Sequence, residues 1–158
     1  MLILGLAIFA VLIILFCCDF LEGLRIKLLF KRQYCSPTHR IGKLWIDENN
    51  KKWASSNIDR LFDFCTILDY DLQFDGVSIN KKQKFLSMGL DPCAEMAAER
   101  CKTFERLVVV VILNDSNFPC VNIPVGNTKS ETGSAEFKRQ LKLAERICNE
   151  LERIKNIK

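Results

Sequence analysis

Residues 2–18 read LILGLAIFAVLIILFCC, an apolar run broken only by Gly5, and no charged side chain occurs before Asp19. A helix buried in a globular domain shows polar positions every third or fourth residue, and this run shows none. At ~1.5 Å of rise per residue, the run extended through Phe20 and Leu21 reaches across a hydrocarbon core of ~30 Å. The expectation is a single transmembrane helix over residues 1–21. A cleaved signal peptide would begin with a basic stretch and end in small residues. Here no base precedes Leu2, and Leu15-Phe16-Cys17-Cys18 supplies no such site, nor a small residue before a lipidated Cys17. An uncleaved anchor is expected.

Charge divides the rest. Of 23 bases and 19 acids, six bases (Arg25, Lys27, Lys31, Arg32, Arg40, Lys43) and two acids (Asp19, Glu22) lie between Asp19 and Lys43. That leaves 17 of each sign from Leu44 onward, so the net charge of +4 belongs to the stretch beside the apolar run. A nucleic-acid binder carries its basic excess on the folded body, so no nucleic-acid partner is expected. Bases beside a membrane helix favour the cytoplasmic side. The resulting expectation is a single-pass protein of the inner or plasma membrane, N-terminus outside and C-terminal domain cytoplasmic. Arg25, Lys27, Lys31 and Arg32 are the expected membrane-surface contacts, facing anionic lipid head groups. Residues 22–40 read as a basic juxtamembrane linker and 41–158 as the domain. Phe20, Leu21, Leu24 and Leu28 fall on one side of a helical projection. Residues 20–30 are therefore either an amphipathic helix lying on the leaflet or a continuation of the membrane helix.

Cysteine and histidine offer little chemistry. Of eight cysteines, Cys17 and Cys18 belong to the apolar run, and six follow: Cys35, Cys65, Cys93, Cys101, Cys120 and Cys148. An even count permits three bridges, but a cytoplasmic location opposes them. No C-x-x-C occurs, and Cys35-x-x-x-His39 lacks the further ligands of a zinc site. His39 is the only histidine, so a Cys–His couple would need a thiol, Cys35 foremost, brought to it by the fold. Cys65, Cys120 and Cys148 read as small buried hydrophobes. No catalytic residue, metal site or cofactor is expected.

The body alternates strand and turn. Residues 41–47 and 51–55 flank Glu48-Asn49-Asn50, and 60–64 is a further short strand. In 68–75, Leu68, Tyr70, Leu72 and Phe74 are expected to face the core, with Asp69, Asp71 and Asp75 in water. Asp75-Gly76 then turns into residues 77–80. Asp91-Pro92 opens a short helix over 94–102. The β-branched run 107–113 (LVVVVIL) reads as a buried central strand, and Pro119 and Pro124 make the return strand an edge. Gly133-Ser134 supplies the cap of a final helix with Glu136 in its first turn and an apolar stripe at Phe137, Leu141, Ala144, Ile147, Cys148, Leu151 and Ile154. The expected fold class is α+β: the membrane helix, then an antiparallel sheet or barrel like that of pleckstrin-homology domains, closed by a C-terminal amphipathic helix.

Residues 43–53 (KLWIDENNKKW), 61–64 (LFDF), 67–72 (ILDYDL) and Asp75-Gly76 resemble a bacterial domain family of unknown function. Some of its members are fused to a zinc ribbon or a short C-terminal helical module. The resemblance resumes at 107–117, at 118–123 (FPCVNI) and in the final helix, through pattern rather than any catalytic signature. Many members place a Gly/Ala-rich apolar segment between hairpin and Val-rich strand, where this chain has the polar residues 81–104. The resemblance implies a strand-then-helix domain and carries no functional residues. The expected function is a membrane-anchored cytoplasmic binding or scaffold module without catalytic activity, contacting lipid and a protein partner. The alternative is a small membrane-associated effector or exclusion protein of a mobile element.

Overall fold

A computed structural model describes residues 20–75, 77–79, 103–104, 106–126, 130–131 and 134–157. The expected helix over 94–102 lies outside them, as do Cys17, Cys18, Cys93 and Cys101.

Residues 20–32 form a helix, α1. Four short strands follow: β1 (His39–Ile41), β2 (Leu44–Asp47), β3 (Lys52–Ser55) and β4 (Phe62–Asp63), paired antiparallel in the order β1-β2-β3-β4. A single 3-10 turn, Phe64–Thr66, leads into β5 (Ile67–Phe74), which turns back as β6 (Val77–Ile79). After β7 (Thr103–Phe104) come β8 (Leu107–Leu113), β9 (Cys120–Gly126), β10 (Ser130–Glu131) and the long helix α2 (Ala135–Lys155). The second sheet has the order β6-β5-β8-β9, and β7 pairs with β10.

Two expectations about the architecture are corrected. Among the described residues no helix is long and apolar enough to cross a membrane. The transmembrane helix over 1–21 is therefore not supported, nor is the single-pass inner- or plasma-membrane location with a cytoplasmic domain that followed from it. Residues 1–19 lie outside the described residues. Where the described part of the chain begins, α1 carries Glu22, Arg25, Lys27, Lys31 and Arg32 and buries Ile26 and Phe30 against protein. The barrel is corrected as well. The two four-stranded sheets stay separate, because β4 is two residues long and the 3-10 turn interrupts the chain before β5. Among the described residues no strand pairing joins them.

Alternation explains how the layers stack. On β2, Leu44 and Ile46 point into a core shared with β5, β8, β9 and α2, and Trp53 of β3 joins them. Trp45 and Ala54 point the other way, into a smaller cluster with Leu61 and with Ile26 and Phe30 of α1. Sheet β1–β4 is thus covered on both faces, and all four residues of β2 are buried. Burial of side chains such as Ile26 and Phe30 contributes ~1.5–3 kcal/mol each.

The β-branched run forms β8 with the bounds its composition suggests, Leu107, Val109, Val111 and Leu113 facing inward. Among the described strands β9 lies at the edge of its sheet, with Pro124 inside it and Pro119 just before it. β5 departs from its pattern. Its register against β8 slips between Ile67 and Asp69, and this bulge turns Leu68 outward, where it is 51% exposed, while Ile67 takes the buried place. Asp75 lies at the turn with φ 47° and accepts a bond from Arg106 N at 2.7 Å, so it does not extend the row of Asp69 and Asp71. Ser134 caps α2 by accepting from Phe137 N at 3.1 Å. Arg60 fastens the β8–β9 turn to the first sheet: it pairs with Asp115 at 2.7 Å and lies over Phe118 at 4.7 Å and Phe62 at 5.5 Å.

Candidate functional site

Two groupings of side chains have the makings of a site. The first surrounds the lone histidine. β1 presents His39, the β2–β3 turn presents Glu48, and one turn of α2 presents Glu150 and Arg153. His39 Nε2 lies 2.8 Å from Glu150 Oε1, and Nδ1 lies 3.6 Å from Glu48 Oε1. Arg153 donates to both carboxylates, with Nε 3.1 Å from each oxygen of Glu150. The Arg153 hydrogen bond, ahead of the one from His39, outweighs burial and holds the Glu150 carboxyl below its usual range. The Arg153 guanidinium is in turn raised by its bond to Glu150.

His39, Glu48 and Glu150 could in principle hold a metal ion, since one donor atom from each lies within 4.8 Å of the others. Their arrangement argues for ion pairing instead. A metal takes one imidazole nitrogen, and here the carboxylates stand at different nitrogens of the ring, with Arg153 already bridging them. The quartet joins β1, the β2–β3 turn and α2, with one histidine and one guanidinium set against two carboxylates.

Cys35 does not complete a catalytic couple. Its thiol donates to the Gln33 carbonyl at 3.3 Å and packs beside the α1 cluster. Burial, then the Asp47 carboxylate, pushes the Cys35 thiol up, away from a reactive thiolate. Of the three cysteines expected on apolar faces, only Cys148 is buried; Cys65, in the 3-10 turn, and Cys120, on the outward side of β9, are exposed. Cys35, Cys65 and Cys120 are free thiols.

The second grouping is α1 itself, which carries all four expected surface residues. At ~3.6 residues per turn, Phe20, Leu21, Leu24 and Leu28 fall on one side and Ile26 and Phe30 on the other. The inward side seats on Trp45, Ala54 and Leu61. The outward row is 59, 62, 42 and 56% exposed in chain order. Lys27 borders the row on one edge and Arg25 and Arg32 on the other, while Lys31 continues it by a turn. Arg25 is tied to the protein, donating to the Ser56 carbonyl and pairing with Asp59 at 3.1 Å. Lys27, Lys31 and Arg32 are exposed and have no ion-pair partner among the described residues. Glu22, the one acid of the described helix, lies towards the inward side and pairs with Lys43.

The connection that sets the angle of α1 depends on Asp47. Its buried carboxylate accepts from Ser36 N at 2.8 Å, Asn50 N at 3.2 Å and Asn50 Nδ2 at 2.8 Å. Burial opposes ionisation, but these bonds prevail, the Asn50 side chain foremost, and hold the carboxyl below its usual range. Trp45 Nε1 donates to Ser56 Oγ at 2.9 Å, and Ser56 is also the residue whose carbonyl receives Arg25.

No family profile, curated protein or solved structure matches this chain. The likeness to a bacterial family of unknown function therefore rests on the residue pattern alone.

The outward row and the four bases were visible in the sequence. The inward side of α1 was not singled out there, although Ile26 and Phe30, spaced i and i+4, carried the signal. The quartet had only Glu150-x-x-Arg153 as a local sign, because 111 residues separate His39 from Glu150.

Proposed function

We propose that this chain is a non-catalytic binding module that docks through the outward face of α1. The observation that carries the reading is the contiguous row of Phe20, Leu21, Leu24 and Leu28, left in water on a helix whose other side is already satisfied. Single exposed apolar residues are ordinary; a contiguous row rimmed by charge marks an interaction surface. The state of the reactive residues supports the same reading. A thiol kept protonated and a histidine held between two carboxylates are poor equipment for nucleophilic catalysis.

A photo-crosslinking residue placed at Leu28 of the full chain tests the reading in the cells that make it. Adducts, to lipid or to protein, are expected at position 28 well above those from the same residue at Arg146, an exposed position of α2. Equal yields at the two positions, or none at either, would remove the docking face.

A further inference from the structure

We infer that the partner of this face is an anionic lipid surface, on which α1 lies flat without crossing it. The inference rests on the docking reading above and adds the chemistry of what is docked.

The helix has the cross-section of an interfacial segment. An interfacial helix buries one apolar side ~5–10 Å into the boundary between head groups and acyl chains, and sets cations at the rim where head-group phosphates lie. Here the apolar row is bordered by Lys27 on one edge and Arg32 on the other, with Lys31 one turn beyond Phe20, Leu24 and Leu28. None of these three bases is neutralised by an ion pair among the described residues. The acid that would repel phosphate is disposed of, since Glu22 lies towards the protein and pairs with Lys43. Protein binding grooves that receive an amphipathic helix ask mainly for the apolar row. The unpaired bases on both edges and the absence of an outward acid on the described helix favour a continuous negative surface instead.

The helix is also held in the geometry that lying flat requires. Its inward side is fixed by Ile26 and Phe30 over Trp45, Ala54 and Leu61. Arg25 is a positioning residue, bound through Ser56 and Asp59. Because α1 is already packed and ordered, docking costs little conformational entropy, unlike the docking of a segment that must fold on contact. The described helix carries four bases and one acid, a net of +3 at the contact, whereas the chain from Leu44 onward is neutral and is neither drawn to nor repelled by the surface.

The test needs a local readout, since the apolar residues 2–18 can bring the whole chain to any vesicle. Leu28→Trp in the full chain, with Leu24→Trp as a second probe, is mixed with vesicles whose acyl chains carry bromine, which quenches a tryptophan only at short range. Quenching is expected with phosphatidylglycerol and phosphatidylcholine together and not with phosphatidylcholine alone. Adding Lys27→Glu, Lys31→Glu and Arg32→Glu should weaken it about a hundredfold or more, at ~1 kcal/mol for each base lost from the surface. Arg146→Glu should leave it unchanged. Equal quenching by neutral vesicles, or quenching that survives the triple reversal, would overturn the inference. Failure to quench together with cross-links from position 28 to a protein would overturn the lipid partner and leave the docking face standing. Failure of both experiments would remove both.

Discussion

Asp47→Asn is a change of one atom type that should weaken both the β2–β3 turn and the attachment of α1. The carboxylate takes three hydrogen bonds in a buried position, two of them at 2.8 Å to Ser36 N and Asn50 Nδ2 and one at 3.2 Å to Asn50 N. An amide can place its oxygen towards the two short bonds, but its NH2 then faces the Asn50 N–H, donor against donor. Bonds to a charged acceptor contribute ~1.5–3 kcal/mol against ~0.5–1.5 for neutral ones, and a buried group left unpaired costs ~1–3. Loss of charge at two bonds and of the third altogether gives about 2–3 kcal/mol, after allowing for the easier burial of a neutral side chain. With a urea slope of ~1–3 kcal/mol/M, the midpoint of unfolding followed by circular dichroism should fall by about 1–2 M. The pH dependence fixes the mechanism. The folded carboxyl is depressed below its unfolded value of ~3.9. Its contribution is therefore present above that value and drains away as pH falls through the lower, folded one. The gap between the native chain and Asp47→Asn should be constant near neutrality and narrow below about pH 4. A midpoint unchanged at neutral pH, or a gap that persists undiminished in acid, would refute the assignment of this stability to an ionised Asp47.

Two further outcomes are expected. Phe30→Ala should cost ~3–5 kcal/mol in the same urea assay, whereas Leu28→Ser, on the opposite side of the helix, should stay within ~0.5; comparable losses would mean that the outward row packs on protein. Gly42→Ala should cost about 1–2 kcal/mol, because residue 42 sits at φ 56° and an added Cβ would lie 3.3 Å from Leu143 Cδ2 of α2; a neutral result would show that the β1–β2 turn relaxes freely.

The elements that could be read directly are those in which composition and burial agree. The seven residues of β8 are β-branched or leucine throughout because both neighbours on the sheet are strands, and α2 shows its stripe because one face of it closes the main core. Leu68 misled because a bulge inverts a two-residue period without changing composition. Gln140 lies among the apolar residues of α2, and its bond to Glu136 at 3.0 Å, which a hydrophobic pattern does not show, helps to seat a polar side chain there. At α1 the uncharged run that precedes it dominates any hydropathy average, so residues 20–30 read either as an amphipathic helix on the leaflet or as a continuation of a membrane helix, and not as the cover of a sheet. In the same way Trp45 gave no hint that β2 would be buried on both sides, because that depends on a helix placed by tertiary packing.

That double covering orders the events of synthesis. Everything in the smaller cluster, from Ile26 through Trp45 and Ala54 to Leu61, comes from 36 consecutive residues, so it can close through short loops as soon as that stretch is free of the ribosome. The opposite face of the same sheet, with Leu44, Ile46 and Trp53, has to wait for β8 and for α2, the last long element to be made. A growing chain therefore passes through an interval in which one side of a four-stranded sheet is finished and the other is bare, and a copy that ends short of α2 leaves the core on that second side unclosed.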